Sequence, residues 1–200
     1  IFKPNGVAVD MGLSVKWASC NVGASAPEDY GDYFAWGETS PKSTYSWSTY
    51  KYCMGSSSTL TKYCNNSSYG YNGYTDTRTI LDLSDDAARV NWGGSWRMPT
   101  AAEWRELMNT DNCTWTWMPQ NIGGYEVISK KTGNSIFLSI GGYRDGLLRS
   151  WVHGYYWSSS LNTDDPTYAY LGYFTGPGEY DRGTGYTGRT GGRAVRAVTE

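Results

Sequence analysis

Apolar and polar residues alternate with a period of two along much of this chain, a pattern that a half-buried strand satisfies and a helix does not. The opening run Gly6-Val7-Ala8-Val9-Asp10-Met11 breaks at Gly12 and resumes in Leu13-Ser14-Val15-Lys16-Trp17-Ala18, which reads as a hairpin. The same period returns at residues 125–128, 135–140, 155–159, 168–174 and 193–198. Two stretches carry helix signals instead. Ser84 stands before Asp85, Asp86, Ala87 and Ala88, a capping hydroxyl followed by carboxylates that suit the positive end of a helix. That helix is expected to be short and to end by Gly93. Thr100 and Glu103 form a capping box just after Pro99, and Trp104, Leu107 and Met108 give the second helix one apolar side. Two helices set among strands of this kind predict an α+β domain over residues 1–200.

Between these elements, from Ala26 to Asn72, the chain turns to Ser, Tyr, Thr, Gly and Asn without a sustained period. A loop-rich insertion at about 40–75 is expected there. The tripeptide Lys-Tyr-Cys occurs twice in it, at 51–53 and 62–64, which suggests a small hairpin pinned by its cysteines. Four cysteines, Cys20, Cys53, Cys64 and Cys113, allow three pairings, and the short separation favours a Cys53–Cys64 disulfide over four free buried thiols. No CxxC spacing occurs and His153 is the single histidine, so a structural zinc site is not expected.

Seventeen basic and nineteen acidic side chains leave a net charge of -2, too little cationic field to attract nucleic acid. No apolar run approaches the length of a membrane-spanning helix, so no membrane insertion by this segment is expected. The chain opens at Ile1 without an initiator Met, which reads as a processed or trimmed chain that has lost any export signal. Ten Trp, eighteen Tyr and 25 Gly beside 18% charged residues favour sheets and long ordered loops. Tyr, Gly, Ser and Asn are also the side chains of adaptable binding surfaces, since Tyr offers contact area at low entropic cost while Gly and Ser let loops conform.

The run Gly93-Gly94-Ser95-Trp96-Arg97-Met98-Pro99-Thr100-Ala101-Ala102-Glu103-Trp104 resembles the W-R-[LM]-P-T-x-x-E-W signature of formylglycine-generating-enzyme-like and C-type-lectin-like domains. Residues 9–18 (Val-Asp-Met-Gly-Leu-Ser-Val-Lys-Trp-Ala), residues 27–39 (Pro-Glu-Asp-Tyr-Gly-Asp-Tyr-Phe-Ala-Trp-Gly-Glu-Thr), the Arg97 motif and Tyr156-Trp157-Ser158-Ser159-Ser160 resemble, in order, the bacterial major paralogous (FISUMP-type) domain family. The resemblance implies a C-type-lectin-like fold with paired N- and C-terminal strands, in an exported protein held at the cell surface or outside the cell. Some members of this wider fold group are variable proteins of diversity-generating retroelements, whose C-terminal segment is mutated at adenines, mostly in Asn codons. No Asn occurs here from Thr163 to Glu200, and Thr, Tyr, Gly, Asp and Arg are all reachable from such codons. A Gly- and Tyr-rich loop needed only for its turns has the same composition. The resemblance puts a variable ligand-binding tail at about 157–198, with its departure from the family's usual tail at 176–191.

Enzyme chemistry finds no foothold in these residues. Formylglycine-generating relatives use paired cysteines late in the chain, yet none follows Cys113 here. A serine hydrolase needs a nucleophile elbow with its histidine, and His153 has no G-x-S-x-G to serve. The Asp85/Asp86 pair is accounted for by a helix cap and Asp164/Asp165 by a turn before Pro166, so no catalytic residues and no cofactor are expected. The sugar-binding tripeptides of calcium-dependent lectins are missing, and no metal ligands are assigned; a structural calcium near Asp164 and Asp165 stays open. The expected function is that of a non-catalytic, adhesin- or receptor-type binding domain for a protein or glycan ligand on another cell or phage surface. Tyr168, Tyr170, Tyr180 and Tyr186 are its expected anchors, Arg182 and Arg189 its charged contacts, and Gly172, Thr175, Thr184 and Thr190 set its shape. Either Tyr168 and Tyr170 face out while Ala169, Leu171 and Tyr173 pack inward, or the reverse. The competing classes are a structural surface or fimbrial-tip spacer and a carbohydrate-binding lectin-like module.

Overall fold

The N-terminal hairpin forms as the alternation predicts: β1 (Ala8–Val9) pairs antiparallel with β2 (Lys16–Asn21), Ala8 opposite Ala18 and Val9 opposite Trp17. A computed structural model describes residues 6–119, 123–145, 148–150, 153–176 and 181–200, with side chains left aside at Leu148–Ser150. The two predicted helices are both present, and the first starts two residues late. Ser84 lies in a 3-10 turn, Leu83–Asp85, and Asp86 caps α1 (Ala87–Trp92) instead. One oxygen of Asp86 accepts from the Arg89 amide at 3.0 Å and the other from the Met98 amide at 2.7 Å, so its carboxylate ties the helix start to the segment before α2. Gly93 ends this helix with φ at 71°. α2 (Ala101–Met108) makes both bonds of its capping box, and Arg97 grips Glu103 with two nitrogens at 2.9 and 2.6 Å.

After α2 come β3 (Cys113–Met118), β4 (Gly124–Ser129) and β5 (Ser135–Ser139), an antiparallel meander. The hairpin β6 (Tyr143–Asp145) and β7 (Leu148–Ser150) follows. A third sheet then orders β8 (His153–Leu161), β9 (Tyr168–Thr175) and β10 (Arg182–Gly188) as β10-β9-β8. The last strand, β11 (Arg196–Thr199), returns to β2, so the first hairpin and the chain's final strand share a sheet. The described residues thus form an α+β fold, with two α-helices, three antiparallel sheets of three strands and the β6–β7 pair. Arg196 locks this closure from within: it donates to Asn21 Oδ1 at 2.8 Å, the Ala18 oxygen at 2.9 Å and the Phe137 oxygen at 2.7 Å.

One buried cluster gathers Trp36, Tyr45, Tyr63 and Trp157, and a second gathers Trp17, Trp104, Tyr156 and Phe174. Each of these large side chains contributes about 2–3 kcal/mol by leaving water. The insertion at 40–75 holds short 3-10 turns and isolated bridges but buries Tyr45, Tyr50, Leu60 and Tyr63, so this loop region builds core. The expected Cys53–Cys64 disulfide is corrected: all four cysteines are free and buried. Cys53 Sγ donates to the Trp47 oxygen and Cys64 Sγ to the Asn66 oxygen, both at 3.1 Å, so each thiol turns into its own loop. The repeated Lys-Tyr-Cys does not pair with itself, because Cys53 bridges Leu60 and Leu60 in turn bridges Gly70.

Candidate ligand-binding site

The β9–β10 register decides where the tail's side chains go. Tyr186 lies opposite Tyr170, Thr184 opposite Gly172 and Arg182 opposite Phe174, and directly opposed residues project to the same side of a sheet. Tyr168 and Tyr170 are therefore the outward pair, while Ala169 and Leu171 are buried on the other face. Tyr186, at 60% exposed, stands edge-on between them, with ring centroids 5.6 Å from Tyr168 and 6.1 Å from Tyr170. Arg182 lies on this same face, its guanidinium 5.4 Å from the Trp115 ring.

Other expected contacts belong to the scaffold. Gly172 is buried beneath α2: a Cβ there would stand 2.5 Å from the Trp104 ring, so this residue clears room for the helix. Thr175 is buried and exchanges hydrogen bonds with the Asp181 main chain at 3.2 and 3.0 Å. Arg189 is wholly buried, donating to the Tyr50 hydroxyl and to the oxygens of Lys62, Tyr63 and Pro166 at 2.8–2.9 Å. Its charge faces the rings of Trp36 and Tyr50 at 5.1 and 5.2 Å, so it pins the insertion to the tail from within the core. Burial pushes the Tyr50 phenol up to about 12, against the pull of Arg189. Thr190 is buried beside it, and Tyr180 lies outside the described residues.

The opposite face of the same sheet carries a cleft of about 440 Å³, within the range of small-molecule sites. Tyr155 and Tyr173 lie side by side in register and form its floor. Gly183 and Gly185 continue that face onto β10 with no side chains, and a Cβ at Gly185 would reach only to 3.4 Å from the Tyr173 ring. Tyr143 of β6 stands edge-on to Tyr155 at 5.6 Å as a wall, and Asp145 is exposed at the rim. Arg193 closes the inner end, 4.6 Å from the Tyr143 ring. Burial lowers its pKa to about 10, which still leaves it cationic at neutral pH. Neither Tyr143 nor Arg193 carries a sequence signal for this role. Arg193 sits in an ordinary strand-like run, and Tyr143 reaches the cleft only because residue 144 bridges Gly192 across the fold.

The groups weighed for chemistry are otherwise engaged. Asp85 accepts from Lys62 Nζ at 2.6 Å and the Tyr63 hydroxyl at 2.7 Å, and Asp165 closes a turn onto Thr167 at 2.9 and 2.7 Å. Among the described residues no group of three or more His, Cys, Asp and Glu is placed to hold a metal ion. No described helix is long and apolar enough to cross a membrane. The chain matches no protein-family model, no curated protein and no solved structure.

Proposed function

We propose that this chain is a non-catalytic ligand-binding domain of adhesin or receptor type, displayed at or outside the bacterial cell surface on a C-type-lectin-like scaffold. The observation that carries the reading is the tyrosine-floored cleft beside the glycine-cleared strand β10. Tyrosines fixed in a sheet give a ligand broad contact at little entropic cost, and glycines leave it room to approach. The exposed Tyr168 and Tyr186, with the half-buried Tyr170 beside them on the other face of the hairpin, extend the surface available to a protein or glycan partner. A spacer has no need of an open aromatic cleft, which favours recognition over a purely structural role.

The same hairpin is the proposed seat of retroelement-driven diversification. The buried Gly172, Thr175, Arg189 and Thr190 form fixed scaffold, while 182–187 offers exposed and half-exposed positions to vary. Sequencing the source locus tests this part. A near-copy of the gene's 3' end differing only at adenines, beside a reverse transcriptase, supports diversification; a locus without one rules it out. Binding itself is tested with a panel of surface glycans and proteins against the domain and a cleft-filling G185Y variant. Ligands held by the first and lost by the second support the reading, and equal retention removes it.

A further inference from the structure

Three buried arginines stand in the last twelve residues, and they differ in what satisfies them. Arg189 makes four hydrogen bonds and Arg196 makes three, all to fixed oxygens of the fold. Arg193, only 5% exposed, is less well served. Its Nη1 donates to the oxygens of Arg144 and Gly192 at 3.2 and 3.0 Å, its Nη2 reaches only the Thr187 hydroxyl at 3.4 Å, and its Nε has no partner. A guanidinium carries five N–H donors, so this one keeps unused capacity. Among the described residues no carboxylate lies within ion-pairing distance of it, whereas the Arg97 guanidinium grips Glu103. Asp145 at the cleft rim faces it from beyond ion-pairing distance, so this buried cation is only partly compensated, and it lines an open cleft.

We infer that the cleft takes a carboxylate borne on a six-membered ring, with Arg193 as counter-ion and Tyr155 and Tyr173 as the ring's platform. This inference rests on the reading of the cleft as the ligand site and names the ligand's chemistry. An incoming carboxylate meets Nη2 of Arg193, whose own bond to Thr187 is long, at the inner end of the cleft. The ring packs on the paired tyrosines, over the space left by Gly183 and Gly185. Asp145 at the rim opposes an anion, so the site as built binds a carboxylate less tightly than its arginine alone allows.

The test is a titration of the intact domain, followed by the ring resonances of Tyr155 and Tyr173, with two matched pairs of probes. Benzoate against benzamide and glucuronate against glucose each compare a carboxylate with a neutral counterpart on the same ring. In at least one pair the carboxylate is expected to bind about tenfold more tightly, and which pair responds separates an aromatic acid from an acidic sugar. R193Q is expected to erase that preference. Because Arg193 also braces the Arg144 and Gly192 carbonyls, D145N serves as the second variant: exposed and outside the core, it is expected to tighten carboxylate binding about threefold. Equal binding of the neutral partners overturns the carboxylate assignment while leaving the cleft a ligand site. Carboxylate binding unchanged or weakened in D145N overturns it too, as does silence of both tyrosines with every probe. Such silence leaves the wider binding reading to the G185Y comparison.

Discussion

Nη1 of Arg193 donates to the main-chain oxygen of Arg144 at 3.2 Å, which ties the segment entering the last strand to the hairpin that walls the cleft. The main chains of Arg144 and Gly192 exchange a further pair of hydrogen bonds at 2.9 and 2.6 Å. The wall and the inner end of the cleft are thus fastened together before any ligand arrives. A pre-formed site spends little of its binding energy on ordering itself.

The two kinds of tail residue predict opposite stability effects. Alanine at both Tyr168 and Tyr186, on the exposed face, is expected to move the melting temperature by no more than about 3 °C. Arg189→Ala removes the donor from three core carbonyls and from the Tyr50 oxygen and is expected to cost about 3 kcal/mol, or roughly 6–12 °C. Differential scanning fluorimetry reads both; equal shifts would mean that the partition of the tail into face and scaffold is wrong.

Glycines along the hairpin are not interchangeable. Gly172→Ala drives a methyl group into Trp104 and is expected to destabilise by about 1–3 kcal/mol, because the ring is fixed in the core. Gly188→Ala meets nothing within 4 Å and is expected to be neutral or to stabilise by about 0.4–1 kcal/mol. Urea unfolding of the two variants ranks them directly.

The thiols offer a chemical check on the fold. Burial raises the pKa of Cys20, Cys64 and Cys113, and all four cysteines are free. Ellman's reagent at pH 8 is therefore expected to find almost no reactive thiol in the native protein and four in guanidinium chloride without reductant. A denatured count of two would reveal a disulfide.

Acid stability is expected to run through Glu103. Burial works to raise its pKa, but Arg97 and the Thr100 amide outweigh that and hold it below the usual carboxylate range. A carboxylate depressed in the folded state stabilises above its unfolded pKa and loses that contribution as pH falls through the folded one. The gap in melting temperature between the wild type and E103Q should be full near pH 6 and close below about pH 4. A gap independent of pH would show that the charge on Glu103 contributes nothing.

Period-two alternation and a capping box were enough to read the α+β class, both helices and the first hairpin, because these depend on local spacing. Strand β10 escaped that reading, since Gly-Thr-Gly has no apolar face of its own and pairs only because β9 holds it in register. The start of α1 moved because Asp86 serves two amides at once, a fact of tertiary contact with Met98. Of the expected contacts, Tyr168, Tyr170, Arg182 and Tyr186 do come together on one face of the β9–β10 pair. Sequence gives no sign that Arg189 turns inward while Arg193 lines a cleft, because the difference depends on which carbonyls the insertion brings to each.

The most direct test of the account is a binding panel of surface glycans, ring carboxylates and candidate proteins, run on the wild type and on G185Y in parallel with their melting curves. Tyrosine at residue 185 fills the cleft over Tyr173 while suiting a strand, so the melting temperature should hold or rise while ligand capture falls by at least about tenfold. Undiminished capture by a folded G185Y would place the binding surface elsewhere and contradict the account.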